Sequence, residues 1–364
     1  MQIDFHHAMT YAIARLAGFQ HSKAVVIAYA SQYVDDSVNQ GIVNFDNGET
    51  YTRIASAHKL WDPANADDDK DYLVWVPFHF LPGNNGRQAG EAIDAPVAQR
   101  LVCTEDSPLA NELWQECQRR KAEISILHRL GITSHVYCDT FSHQAFAGLR
   151  HSINQVSELR ETARGLCGRI AEAEGAAANM FEIGHGGAQT CPDQPSLEWT
   201  YRNWGGQMVP RDNAKIFTRA CLRLFKQFIY FLEGDPNAEL ETADMAVIES
   251  LIKNETNEDG NQRHAAWLAA IQSGRFSFGE LENAEASQLQ YEAFGEGSWR
   301  AQALSVLDQH DPKDLLVRYD SRFETSNWKH FHDALKDHLK FVLSELLPKY
   351  GLPGSFAAAK RAGV

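Results

Sequence analysis

Two histidines and an aspartate recur at four-residue intervals in the most strongly helical part of the chain. His135, Asp139 and His143 would fan across only roughly 80° of one helix face, at about 100° per residue. The surrounding residues are largely apolar, and polar side chains in such a stripe are costly to bury without partners. Because zinc accepts imidazole nitrogens and carboxylate oxygens, the stripe predicts a metal-binding helix. The alternative is a polar helix face with two ordinary histidines.

The composition limits the partners of this site. The chain has 364 residues, 34 Lys plus Arg against 48 Asp plus Glu, and a formal net charge of −14. Because basic side chains supply much of the affinity for nucleic acid, we expect no stable binding to a duplex. No apolar run approaches the roughly 18 to 20 residues of a membrane span, so no transmembrane segment is expected.

The N-terminus lacks the basic start and continuous apolar stretch of a secretory signal. The default prediction is therefore a cytoplasmic protein, with signal-independent export left open. The six cysteines form no CxxC pair, so we expect them to be reduced and unpaired.

Helical periodicity dominates the chain and predicts an all-α fold, a multi-helix core around a metal site with irregular loops at its mouth. The expected helices lie near 6–18, 22–36, 111–147 with a bend or break at Gly131, 152–173, 217–233 and 328–350. Residues 44–100 are expected to be mostly irregular, with one strand or hairpin. The break at 234–237 predicts a metal-binding helical domain at 1–233 and a C-terminal helical region, 234–364, packed against it.

Four short motifs, taken in order, resemble those of the zinc-dependent phospholipases C and the fungal and plant single-strand-specific nucleases. They are His7-Ala-Met-Thr-Tyr-Ala-Ile-Ala, Ala30-Ser-Gln-Tyr-Val-Asp-Asp36, Val76-Pro-Phe-His79-Phe and Gly131-Ile-Thr-Ser-His135-Val-Tyr-Cys-Asp139. They cover about the first 40% of the chain, and their order is more specific than any single motif.

The resemblance implies a set of metal ligands and a catalytic carboxylate. The implied ligands are Asp36, His79, His135 and Asp139 around one zinc, His7 with Asp139 at a second ion, and His143 at a third. Asp36 would also assist the deprotonation of a metal-activated water. The domain 1–233 would then be phospholipase C-like.

The sequence departs from the family in ways that bear on the third ion and the N-terminus. Where the family has a His-x-x-x-acid pair, this chain has only His185, expected to complete the third site with Asp193 or Glu198. The processed N-terminal Trp, whose amino group and carbonyl bind zinc in the secreted enzymes, is missing. Asp4 is the preferred substitute, and the α-amino group of Met1 is the other.

Two pairs of adjacent residues compete for the same ligand positions. Neighbours in a helix diverge by about 100°, so usually only one of each pair points inward. His6 is thus the alternate to His7, and Asp35 the alternate to Asp36.

The resemblance predicts a metal-dependent phosphoester hydrolase of the phospholipase C-like kind, using metal-activated water. Its cofactor would be two or three zinc ions or other divalent metals, and its substrate a phosphoester, lipids included. Two alternatives stay open: a non-catalytic, metal-stabilised binding protein, and a single-strand nuclease.

Overall fold

Helices dominate the fold, but strands form two small sheets. The computed structural model describes residues 1–58, 67–161, 183–234, 237–308 and 315–364. Helices account for 55% and strands for 11% of the structure. The fold is therefore α/β rather than purely helical, and the all-α prediction is wrong in this respect.

Helices occur in both halves of the chain. The first half contains a π-helical segment Asp4–Met9, α1 (Thr10–Leu16), α2 (His21–Asp36), α3 (Asp68–Phe78), α4 (Val97–Arg100), α5 (Pro108–Arg119) and α6 (Ile126–Ser142). The second half contains α7 (Asn213–Glu233), α8 (Thr242–Asn254), α9 (Gly260–Gln272), α10 (Asn283–Gln288), α11 (Trp299–Ala303), α12 (Asn327–Phe341), a π-helical segment Val342–Leu346, α13 (Leu347–Lys349) and α14 (Phe356–Arg361). Short 3₁₀ turns lie at Asn84–Gly86, Ser152–Asn154, Gly186–Ala188, Cys191–Asp193 and Ser321–Thr325.

The strands form their sheets through both local and distant pairings. They are β1 (Gly41–Phe45), β2 (Thr50–Arg53), β3 (Val156–Glu161), β4 (Glu198–Asn203), β5 (Met208–Asp212), β6 (Ser305–Asp308) and β7 (Leu315–Arg318). One sheet has the order β2-β1-β7-β6, in which β1 pairs in parallel with β7, and the other has the order β3-β4-β5. Part of the helix predicted at 152–173 is thus strand β3, and its remainder from 162 lies outside the described residues.

Helices α2 and α6 pack closely because small residues line their contact. A Cβ atom added at Gly131 would collide with the carbonyl oxygen of Ile27 and lie 2.5 Å from the Cβ of Ala30. Helix α6 runs unbroken through Gly131, so the predicted helix 111–147 is not divided there. It is divided earlier, between α5, which ends at Arg119, and α6, which begins at Ile126. The close approach brings the C-terminal end of α2 beside the middle of α6.

Side chains from both sides of the predicted domain boundary share one hydrophobic core. Phe5, Phe217 and Trp267 are all buried in it. Helix α7 ends at Gly234, which adopts a left-handed conformation with φ of 78°. Residues 235 and 236 of the predicted break lie outside the described residues. The division into two regions stays a prediction.

The structure bears on the membrane-spanning helices and on the oxidation state of the cysteines. No helix in the described part of the chain is long and apolar enough to cross a membrane. Cys103, Cys117, Cys138 and Cys221 are free and buried, but Cys191 is disulfide-bonded. The prediction that all six thiols are reduced is therefore wrong for Cys191, and the cysteines no longer argue for a reducing compartment.

Candidate metal centre

Eight buried or half-buried side chains from distant parts of the sequence converge into one cluster. Its members are His6, Asp35, His79, His135, Asp139, His143, His185 and Asp193. Within it, three groups each present ligand atoms that lie within 4.8 Å of one another: His6, Asp35 and His135; His79, His135 and Asp139; and His143, His185 and Asp193. Each group has the nitrogen and oxygen donors that a divalent metal ion could use.

Asp139 lies at the centre of the cluster. Its Oδ2 is 3.2 Å from Nε2 of His135, 3.4 Å from Nδ1 of His79 and 3.6 Å from Nδ1 of His143. Its Oδ1 is 3.2 Å from Nε2 of His6. The single carboxylate therefore lies among side chains of all three groups, between ligand atoms of the first two and beside the ring of His143.

The third group joins the end of α6 to the turns before β4. His143 follows the last residue of α6, and its Nε2 is 3.4 Å from Oδ1 of Asp193. The other oxygen of Asp193 is 3.4 Å from Nε2 of His185. Glu198, the other candidate partner of His185, is exposed at the start of β4.

His79 follows directly after a helix that the sequence did not predict. Although residues 44–100 were expected to be mostly irregular, they include helix α3, which contains Pro77 near its end. The helix ends at Phe78. His79 then leaves the helical conformation, with φ of −130°, and turns its side chain into the cluster.

Four of the imidazoles are oriented by backbone carbonyl groups behind them. The contacts are His79 Nε2 to Ser56 O at 2.8 Å, and Nδ1 of His135, His143 and His185 to the carbonyl oxygens of Ser31, His79 and Gln189, each at 2.9 Å. Because a carbonyl only accepts, the rear nitrogen must carry the hydrogen. The front nitrogen of each neutral ring then presents a lone pair to the cluster, an arrangement typical of metal-binding histidines.

These orientations turn two lone pairs towards each other. Nε2 of His135 lies 3.2 Å from Nδ1 of His79, and both rings donate from their opposite nitrogens. Two neutral imidazoles in this arrangement have no hydrogen to share between them. A proton or a metal cation between the rings relieves the repulsion.

Other buried atoms of the cluster lack hydrogen-bond partners. Nδ1 of His6 and Oδ2 of Asp139 are buried without one. Buried polar groups in native proteins are nearly always paired, so unpaired ones require an explanation. A bound metal ion would satisfy these atoms, and the residues therefore fit such a group.

Charges within the cluster shift several pKa values. Burial lowers the pKa of His6 and of His135 to about 4, against the opposing effect of Asp139. Burial alone would raise the pKa of Asp139, but His143, the Met1 ammonium, His135 and His6 hold it well below its usual range. Burial also lowers the pKa of His79, but Asp139 and Asp35 outweigh it and raise that pKa above its usual value. Metal binding requires the ionised carboxylate and the neutral imidazoles that Asp139, His6 and His135 supply.

The α-amino group of Met1 is a cation inside the cluster. Its nitrogen lies 2.8 Å from Oδ1 of Asp139, 3.1 Å from Oδ1 of Asp193 and 3.5 Å from Nε2 of His143. Burial alone would lower its pKa, but Asp139, Asp193 and Asp35 raise it to about 11. The carboxylates at this point are thus arranged to hold positive charge.

The adjacent residues Asp35 and Asp36 take different directions at the end of α2. Oδ1 of Asp35 lies 3.8 Å from His79 Nδ1 and from His135 Nε2. The structure places Asp36 outside the three groups, where its Oδ2 accepts a hydrogen bond from Tyr291 at 2.6 Å. The divergence of neighbouring helical residues explains the difference.

The N-terminal helix separates its candidates in the same way. His6 faces Asp139, whereas the buried His7 points away from the cluster and contacts Nε2 of His264 through Nδ1 at 2.9 Å. Asp4, the preferred substitute ligand, is instead paired with Arg263 at 2.7 Å. The structure therefore brings the alternates His6, Asp35 and Asp193 into the cluster and leaves Asp4, His7 and Asp36 outside it.

Arg263, His264 and Tyr291 were not recognised from the sequence. All three lie in the C-terminal region and contact residues next to the cluster. Their spacing in the sequence does not indicate a site, because each of them contacts a partner more than 250 positions away.

An acidic cavity opens beside Met1 and Asp35. Its volume is about 830 Å³, and its wall includes the carboxylates of Asp35, Asp36, Glu258, Asp259 and Glu292. Within the described residues, no lysine or arginine lines it. The side chain of Asp35 is 32% exposed, whereas those of His135 and Asp139 are 0% and 1% exposed. Solvent therefore reaches the cluster at its Asp35 end.

Comparison with known proteins identifies a family but no activity. No curated protein and no solved structure matches the chain. The profile of DUF6765, a family of unknown function, matches residues 1–346. The match spans all eight residues of the cluster and nearly the whole sequence, so the chain belongs to the DUF6765 family.

Proposed function

We propose that this protein is a metal-dependent phosphoester hydrolase that uses two or three divalent ions, with zinc as the preferred metal. The main support for a bound metal is the 3.2 Å distance between Nε2 of His135 and Nδ1 of His79. The opposite nitrogen of each ring donates to a backbone carbonyl group, so the two facing nitrogens share no hydrogen when both rings are neutral. Mixed imidazole and carboxylate ligands favour zinc over magnesium. The phosphoester class rests on the resemblance of the ordered motifs.

Bound ions at this centre would acidify water and offset negative charge on phosphoryl oxygens. Different residues of the chain would hold and orient these ions. Asp139 lies among the three groups, and the rear carbonyl groups fix the imidazoles before any ligand arrives. No serine or cysteine nucleophile is required.

We assign proton acceptance to Asp36. It lines the cavity next to Asp35 but belongs to none of the three groups, so its carboxylate stays available for acid–base work. Tyr291 holds one of its oxygens through a 2.6 Å hydrogen bond and so fixes its direction. A positioned carboxylate of this kind is suited to accept a proton from attacking water.

The cavity favours a catalytic centre over a purely structural one. A structural zinc is closed by four protein ligands, whereas a catalytic ion keeps a position open to water. The partly exposed Asp35 and the cavity of about 830 Å³ beside it support such access. The metal-stabilised binding protein is therefore the less favoured alternative.

The charge of the cavity also weighs against a single-strand nuclease. Proteins that bind single strands line the path of the backbone with positive charge and stacking aromatics. Here five carboxylates line the wall beside Tyr291 and Phe294. We therefore favour a small phosphodiester or a lipid phosphoester over a polynucleotide.

The test is a hydrolysis assay on a panel of substrates. Protein loaded with zinc is assayed with an aryl phosphodiester, a glycerophospholipid and a single-stranded oligonucleotide, before and after treatment with a chelator. We expect cleavage of the first or second substrate, little of the third, and recovery of activity when zinc is returned. His135→Ala should lower the rate by roughly 100-fold or more, and His21→Ala, on the outside of the fold, should not. Absence of metal-dependent cleavage of all three substrates would overturn the proposal.

A further inference from the structure

The segment that carries His6 is held from its other side by helix α9. Nε and Nη2 of Arg263 donate to the two carboxylate oxygens of Asp4, at 2.7 and 3.3 Å. The side chains of Arg263 and Asp4 are only 1% and 2% exposed. Such a buried, forked ion pair fixes both distance and direction between its partners.

The same guanidinium group connects two further parts of the chain. Its Nη2 donates to the side-chain oxygen of Gln2 at 2.7 Å, and its Nη1 donates to the carbonyl oxygens of Asn257 and Glu258 at 2.5 and 3.1 Å. Arg263 therefore ties the loop before α9 to residues on both sides of Ile3. These contacts use all three nitrogens of its planar fork.

Two other contacts reinforce this attachment. A Cβ atom added at Gly260, the first residue of α9, would lie 2.5 Å from Oε1 of Gln2, so the Gln2 side chain packs directly against the start of α9. One turn later, His264 contacts His7 at 2.9 Å. Helix α9 thus contacts Gln2, Asp4 and His7, which flank His6.

His6 depends on this support more than the other imidazoles do. His79, His135, His143 and His185 each contact a backbone carbonyl with their rear nitrogen. His6 has no such carbonyl contact: its ring stacks on His135, and its Nε2 lies 3.2 Å from Oδ1 of Asp139, a carboxylate of the cluster itself. The position of its own backbone therefore contributes more to the direction of His6 than it does for the other imidazoles.

We propose that Arg263 is a positioning residue that aims His6 at the first metal group, His6, Asp35 and His135. The inference rests on the metal centre of the proposed function and gives the C-terminal region a part in it. Second-sphere partners typically change metal affinity by about 10 to 100-fold. We expect the same range here, restricted to the ion that uses His6.

The experiment compares metal binding in matched variants. Arg263→Lys keeps the charge but loses the fork, and Gly260→Ala disturbs the contact with Gln2 without uncovering a buried charge. Asp244→Asn is the control, because Asp244 is a buried carboxylate that accepts two hydrogen bonds from Ser277 and lies in none of these contacts. Each purified protein is freed of metal and titrated with Co²⁺, with stoichiometry, affinity and the visible spectrum recorded.

The expected result is selective loss of one ion. In Arg263→Lys and Gly260→Ala, the dissociation constant of one Co²⁺ per chain should rise by about tenfold or more while the remaining ions bind as in the parent protein. The visible spectrum should lose the component of that ion, and the control should keep it.

Three other results would contradict the positioning role of Arg263. Unchanged affinity and spectrum in both variants, with metal bound by the parent, would overturn the positioning role and leave the proposed hydrolase standing. Equal loss in Asp244→Asn would also overturn it, because general destabilisation would then explain the effect. If the parent itself binds no Co²⁺ or Zn²⁺, the inference and the proposed function both fail.

Discussion

The imidazole ring of His6 stacks on that of His135, with ring centroids 3.8 Å apart and planes inclined by 21°. The first ring comes from the N-terminal π-helical segment and the second from the middle of α6. Nε2 of His6 lies 3.2 Å from Oδ1 of Asp139, and its Nδ1 is buried without a hydrogen-bond partner. The two rings therefore belong to one centre, and their sequence neighbours provide controls.

His6→Gln and His7→Gln should differ in metal content. His6 faces Asp139, so its loss should remove about one ion per chain or weaken it by about tenfold or more. His7 faces His264, and a glutamine amide can replace that hydrogen bond, so metal content should be unchanged. Elemental analysis of both variants makes the comparison. Equal metal content in the two variants would count against His6 as a ligand.

Asp35→Asn and Asp36→Asn should separate binding from catalysis. Asp35 belongs to the first metal group, so its change should lower both metal content and activity. Asp36 is held by Tyr291 outside the groups, so its change should keep the metal and lower the hydrolytic rate by about 100-fold, the usual range for a general base. Metal analysis and kcat are measured on the same preparations. Full activity in Asp36→Asn would remove it from the mechanism.

Gly131→Ala should force α2 and α6 apart. The new methyl group would collide with the carbonyl oxygen of Ile27, and overpacking of this kind costs about 1 to 3 kcal/mol, more than the gain of about 1 kcal/mol in helix propensity. Metal affinity should fall as well, because α2 carries Asp35 and α6 carries His135. Urea unfolding and metal titration test both effects, with Ser134→Ala in the same helix as control. A variant as stable as the parent would contradict the close-packing argument.

His128 should make the metal-free protein less stable in acid. Burial lowers its pKa to about 3, against the opposing hydrogen bond with Asn327 and with a small further decrease from His330, whereas a free imidazole has the reference value 6.5. Below that reference value the unfolded chain binds a proton that the folded chain does not, so stability falls as pH decreases from 6.5 towards about 3.

The loss from His128 alone should reach roughly 3 kcal/mol at a pH about two units below the reference pKa, at about 1.36 kcal/mol per unit. His128→Gln should flatten the decrease by that amount, and His151→Gln, on a half-buried loop, should not. Unfolding free energies in chelator at neutral and acidic pH provide the measurement. An unchanged pH dependence in His128→Gln would show that His128 is not the titrating group.

The sequence predicts the stripe of candidate ligands on α6 because its geometry is local. His135 and Asp139 are one helical turn apart, and a four-residue spacing alone places them on the same face. The choice between His6 and His7, or between Asp35 and Asp36, is not local. It depends on how the π-helical segment and α2 are rotated against α6, and packing sets that rotation.

The long-range contacts explain what else the sequence did not predict. Strand β1 pairs with β7 and places Val43 opposite Leu315, although most of the sequence separates the two residues. Such short strands lack a strong periodic signal of their own and are stabilised by their distant partner. Arg263 acquires its role in the same way, from Asp4, 259 positions earlier.

The metal content of the purified protein tests the central claim most directly. The protein is purified without chelator, and its transition metals are determined by elemental analysis relative to protein concentration. The account predicts zinc, or another divalent transition metal, at two or three ions per chain, and a marked loss in Asp139→Ala, because Asp139 lies among side chains of all three groups. A content below about 0.2 ion per chain, with no uptake on addition of Zn²⁺, would contradict the account, since preformed sites of this kind bind zinc tightly.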